Sequence, residues 1–188
     1  MTITTRFKNS CRAAALVVMA LPILVLPVLL LPLLLLPVLA GADSPGDADN
    51  AYLEQLQGEW DMSGTLGGKA VHYHASGERV LQGGFVRLHM IDTDPTSRYE
   101  ADVFIGFDSQ RHDFIAHWLD RFGAAGARVV ATGKRNDTQL VMIFPYASGA
   151  FRDTFTLQPD SGWSLLLESQ KPNGDWSTFA SYTLARAH

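Results

Sequence analysis

At 188 residues and 47% hydrophobic content the chain holds enough apolar material for one folded domain, but much of that material sits in the first quarter. The 15 basic and 19 acidic residues give a formal net charge of −4. Setting aside Arg6, Lys8 and Arg12 leaves 12 basic residues and a net charge of −7 for the rest, a balance that argues against nucleic acid as a partner.

Arg6, Lys8 and Arg12 form a basic start, and no charged or strongly polar residue follows from Ala13 to Ala42. That is the layout of a secretory signal, and residues 1–42 are read as a signal peptide or, if uncleaved, an anchor. The apolar run exceeds the roughly 20 residues that span a bilayer as a helix. Pro22, Pro27, Pro32 and Pro37 oppose a straight spanning helix, each costing about 3 kcal/mol in a helix interior. Ala40, Gly41 and Ala42 are small residues of the kind a signal peptidase reads, so a mature chain starting at Gly41 or Asp43 is expected, periplasmic or secreted, with no stable membrane span left after processing. The single cysteine, Cys11, precedes the apolar run, so the mature chain has no thiol for a disulfide or a metal.

Residues 43–50 (DSPGDADN) read as a flexible acidic leader, and the domain is placed at 51–188. Residues 51–57 show helical spacing at Tyr52, Leu53 and Leu56, with Asp49 or Asn50 as a cap and Gly58 as a stop. Everything after alternates at period two and is broken every 8–12 residues by turn chemistry, the pattern of a sandwich or barrel. The breaks fall at 67–68, 83–84, 94–95, 108–109, 123–126, 136–137, 148–149, 159–162 and 172–174, and they delimit ten strands. Short connections make neighbours antiparallel, and closure removes the exposed edges, so the expected fold is an all-β, ten-stranded, up-and-down barrel with one short helix. One face of the strands is apolar (Val86, Leu88, Met90; Tyr99, Ala101, Val103, Ile105) and the other mixed (Phe85, Arg87, His89, Ile91; Arg98, Glu100, Asp102, Phe104). The alternation alone leaves open which face lines the lumen.

Several spaced motifs add to this reading. Gly58-Glu59-Trp60 opens the first strand; Gly106-Phe107-Asp108, Phe114 and Trp118-Leu119-Asp120 follow; and the chain ends on Trp176 through Tyr182-Thr183-Leu184-Ala185-Arg186. Together they resemble the domain-of-unknown-function family numbered 1579 over residues 51–187, with Phe107 standing where tyrosine is usual. The resemblance implies a lipocalin-like, calycin-type barrel and no agreed activity. It also implies that Trp60 and Arg186 close the barrel base, with the guanidinium over the indole.

Candidate functional residues are fewer. Trp118 and Asp120 are two apart on one strand and share a face, an aromatic wall beside a carboxylate that would orient a ligand. The alternative is a core tryptophan with Asp120 bonded to a neighbouring loop or paired with Arg87 or Arg152. His72 and His74 form H-x-H, the spacing at which two imidazoles reach one zinc or copper ion, provided His89, His112, His117, Glu78 or Glu100 supplies a third ligand. Otherwise they are ordinary strand surface. The nitric-oxide-handling haem barrels share a ten-strand plan but need a late histidine, and none lies between Phe151 and Arg186. There is no cysteine nucleophile, no G-x-S-x-G elbow and no phosphate-cradling glycine loop. The expectation is an exported, non-enzymatic module without a cofactor, holding a small, mostly apolar ligand against Trp118, Asp120, Arg87 and Arg152. The rivals are a metal-binding protein using His72 and His74, and a structural domain with a filled lumen.

Overall fold

Period-two alternation makes a chain that buries one side of every strand, and here it does so by wrapping one sheet into a closed ring. The computed structural model describes residues 46–188; the expected signal segment and the first residues of the acidic leader lie outside them. The elements are α1 (Asp47–Glu54), β1 (Gly58–Leu66), β2 (Lys69–Val80), β3 (Phe85–Asp92), β4 (Glu100–Asp108), β5 (Asp113–Asp120), β6 (Val130–Arg135), β7 (Gln139–Phe144), β8 (Phe151–Leu157), β9 (Trp163–Gln170) and β10 (Trp176–Arg186). Each strand runs antiparallel to the next, and β1 pairs with β10 from Trp60↔Arg186 to Leu66↔Ala180. The ten-stranded barrel expected from the turn chemistry is the fold, and all nine breaks fall at strand connections. No helix among the described residues is long and apolar enough to cross a membrane.

The lumen takes the apolar face. Val86, Leu88 and Met90 of β3 and Ala101, Val103 and Ile105 of β4 are buried, while Arg87, His89, Asp102 and Phe104 between them reach the outside. Burying a side chain of the Val, Leu, Ile or Met class contributes roughly 1.5–3 kcal/mol, so this parity is strongly fixed.

The helix differs from its expected span. It begins at Asp47 and ends at Glu54, so residues 47–50 of the presumed leader are its first turn. Neither Asp49 nor Asn50 caps it; Gly46, at φ 111°, is the N-cap. Asp47 and Asp49 instead bring negative charge to the positive end of the helix dipole, and the Asp49 carboxylate is held by Arg135 of β6. The last residues of the expected helix, 55–57, turn toward β1 rather than continue.

That turn plugs one end of the barrel. Tyr52, Leu53 and Leu56 are buried over the lumen, and the Tyr52 ring meets Trp163 edge-on at 5.2 Å. The Trp60 indole donates to the Leu56 carbonyl at 2.9 Å and the Trp163 indole to Gln55 at 3.2 Å, so both buried N–H groups are satisfied by the turn that follows α1. Arg186 lies 3.8 Å above the Trp60 ring, as the resemblance implied, and also donates to the Gln55 and Gln57 carbonyls. Gly58 makes this approach feasible: its φ is +117°, and a Cβ there would collide with the Arg186 guanidinium. Because Arg186 is exposed, the cation–π term belongs at the low end, about 0.5–1 kcal/mol.

Candidate functional site

The opposite end is built differently. Inward positions of β5 carry Phe114 and Ala116 beside the plug, then Trp118 and Asp120 toward the far rim. Those of β8 run Phe155, Asp153, Phe151 in the same direction. Tyr99, just before β4, Tyr182 of β10 and Tyr146, just after β7, complete the wall. These side chains do not fill the space between them, and they surround a cavity of about 480 Å³ that opens at the rim near Phe122 and Phe179. A cavity of this size accommodates one small molecule. The filled-lumen alternative therefore describes the plugged half only.

Two of the four residues expected to meet a ligand line this cavity. Trp118 and Asp120 lie side by side in it. Asp120 also accepts the Phe122 backbone N–H at 3.0 Å, so the loop-bonding alternative holds for one of its oxygens while the residue still faces the space. Arg87 and Arg152 do not line it, because they occupy outward positions of β3 and β8. Arg87 lies across from Glu78 of β2 and beside Asp102 of β4, at 3.2 and 3.0 Å, as an ion pair. Arg152 pairs with Glu168 of β9 at 2.7 Å and lies 4.5 Å over the Trp176 ring. Both are cross-strand pairs of the outer surface.

His72 and His74 are also outward, on either side of the buried Tyr73. His74 Nε2 is 2.9 Å from Glu59 on β1, with both side chains more than half exposed. Of the proposed third ligands, His89 bonds Asp102 at 2.9 Å and His117 bonds the Ala127 carbonyl at 2.7 Å, tethering the loop beyond Asp120. Among the described residues no three His, Cys, Asp or Glu side chains converge as a metal site would require.

The residue the sequence reading passed over is Asp153. At 3% exposure it is the one buried charged or polar residue among those described, and its Oδ1 has no hydrogen-bond partner. Across the ladder it faces Met142 of β7 and Leu167 of β9. An unsatisfied buried group of this kind costs about 1–3 kcal/mol, and more when charged. Burial accordingly pushes the Asp153 carboxyl up to about 7. Burial also raises the neighbouring phenols. Tyr146 is raised further by the Asp153 and Asp120 carboxylates, and Tyr99 and Tyr182 are held well above the ordinary tyrosine range. The signal was available: Phe151, Asp153 and Phe155 alternate on one face, so a carboxylate sits between two aromatic side chains at the parity of the lumen.

No family model matches the chain, and no curated protein matches it either. The functional reading therefore rests on the geometry of this cavity.

Proposed function

We propose that the protein is an exported, non-enzymatic binding module that holds one small, mostly apolar molecule in the open half of its barrel, and that it is a relative of the lipocalin-like family numbered 1579. The observation that carries the binding reading is the aromatic cavity of about 480 Å³ containing Trp118 and Asp120. Apolar walls with a few converging polar groups are the usual makeup of a small-molecule site. Export is supported by the basic start and apolar run ahead of the domain, and the family tie by the spaced motifs and the Trp60–Arg186 seam.

Trp118 gives this reading a local probe, since Trp60 and Trp163 are sealed at the plugged end and Trp176 lies outside under Arg152. Titration with the neutral fluorophore N-phenyl-1-naphthylamine is expected to saturate at about one per chain and to quench tryptophan emission. The quench disappears in Trp118→Phe and persists in Trp176→Phe. Absence of saturable binding, or a quench that survives Trp118→Phe, overturns ligand binding in this cavity.

A further inference from the structure

The binding reading leaves the polarity of the ligand open, and the charges around the cavity narrow it. Two half-buried wall carboxylates on the outer surface have cationic partners: Asp102 has Arg87, and Glu168 has Arg152. Asp153 has none. Its cross-strand neighbours are a methionine and a leucine, and its unpartnered Oδ1 is buried against the cavity. A second carboxylate, Asp120, lines the same space, and among the described residues no Lys, Arg or His does. The rest of the wall is dominated by aromatic rings, among them Tyr99, Trp118, Phe144, Phe151 and Tyr182, whose faces carry negative quadrupolar charge.

Resting on the binding-module reading, we propose that the ligand is an organic cation: an amine with an aromatic or aliphatic body, seated with its nitrogen at Asp153 and its body among the rings. An ammonium group supplies the hydrogen-bond donors and the counter-charge that Asp153 lacks. A fatty acid or other organic anion would instead place its carboxylate near two others with no cation to offset them.

The site then responds to pH. The groups facing Asp153 are Asp120 from β5, Tyr146 from beyond β7, Tyr99 from before β4 and Tyr182 from β10, while β7 and β9 flank it with Met142 and Leu167. The phenols are raised, so they stay neutral through the neutral range, and there the change of charge falls to Asp153. An ordinary alkylamine remains protonated up to about pH 10. Amine affinity therefore rises as Asp153 ionises, and a bound cation favours release of its proton.

The test uses three ligands of one size, 4-phenylbutylamine, 4-phenylbutan-1-ol and 4-phenylbutyrate, each displacing N-phenyl-1-naphthylamine from the full chain. At pH 8 the amine is expected to bind about tenfold tighter than the alcohol, and the acid weakest. Between pH 8 and pH 6 the amine weakens by about tenfold, following the ionised fraction of a group with its midpoint near 7, while the alcohol changes little. Asp153→Asn brings the amine to the level of the alcohol. Equal binding of amine and alcohol by the parent, tightest binding of the acid, or an amine preference that survives Asp153→Asn overturns the cation assignment and leaves the cavity reading standing. Failure of all three ligands and of the fluorophore to bind overturns both. If Asp153→Asn does not fold, the pH series on the parent decides, and an amine affinity flat from pH 6 to pH 8 rejects the proposal.

Discussion

The two ends of the barrel solve opposite problems with similar residues. At the plugged end, Trp60, Trp163, Phe114 and Phe155 are fully buried, and both indole N–H groups find backbone carbonyls in the turn after α1. At the open end, Trp118, Tyr99, Tyr146 and Phe151 stand apart around a space, with Phe122 exposed at the rim and one carboxylate left unsatisfied. One wall runs through both regions, since β5 and β8 each contribute to plug and cavity. The difference teaches that the closing helix, rather than strand composition, decides where the lumen is solid. Where α1 and its turn supply buried side chains and backbone acceptors, aromatic rings pack as core. Where no described residue covers them, aromatic rings line a cavity.

The sharpest way to break that comparison is to remove one tryptophan from each end. Trp60→Ala deletes a fully buried ring, the Leu56 hydrogen bond and the Arg186 stack, and is expected to cost about 3–5 kcal/mol in urea unfolding. Trp118→Ala removes a ring that already borders a void, and about 1 kcal/mol or less is expected, because little new cavity is created. Equal losses at the two sites would mean that the open end is as tightly built as the plugged one.

A smaller effect, of opposite sign, is expected at Asp153. Its carboxyl is raised in the folded protein, so the folded state holds a proton that the unfolded chain, with its aspartate near the ordinary value of about 3.9, gives up. Stability from this group is fully present below about pH 4 and falls as pH rises toward 7. Asp153→Asn removes the charged form and should stabilise the protein by about 1–3 kcal/mol at pH 8, a gain that vanishes near pH 4. Melting curves across that range check it, and a pH-independent difference would show that Asp153 is not buried as charge.

The smallest effect belongs to the outer surface. His72→Ala combined with His74→Ala removes two exposed imidazoles and one exposed contact with Glu59, so stability should shift by less than about 0.5 kcal/mol. Metal content by elemental analysis should be the same in parent and double variant. About one zinc per chain in the parent and none in the variant would restore the metal reading.

Much of the fold was legible because turn chemistry is local. Glycine, proline and Asx residues mark every connection, and the seam was implied by the resemblance that sets Arg186 over Trp60, at opposite ends of the barrel sequence. The facing of the strands was harder, since both sides carry large apolar residues, with Phe85 and Ile91 alternating with Arg87 and His89 on the outside. Parity within one strand was read correctly at Trp118 and Asp120. At β8 the candidate chosen was Arg152 rather than Asp153, and a step of one residue moves a side chain from one face to the other. Charge made arginine look like the ligand-facing group, whereas the lumen selects against a long, always-charged side chain that has an acidic partner on the outside. The helix boundary was missed for a related reason: its first turn is held by Arg135, a partner 86 residues from Asp49 that no local pattern reveals.

The seam between β1 and β10 bears on how the chain is made. Arg186 reaches the Gln57 carbonyl across 129 residues of sequence, so the ring is completed only when β10 is available to pair with β1. Until then β1 waits with one edge bare, and each newly added strand presents another. A product truncated anywhere before β10 is an open curl with two templates for pairing with other chains, not a smaller version of the same container. Ring closure over so long a loop is entropically costly and slow, so the interval between synthesis and closure is when the chain is most exposed to aggregation. The eleven-residue strand β10 thus acts as a latch, and the edges of β1 and β9 disappear together when it docks.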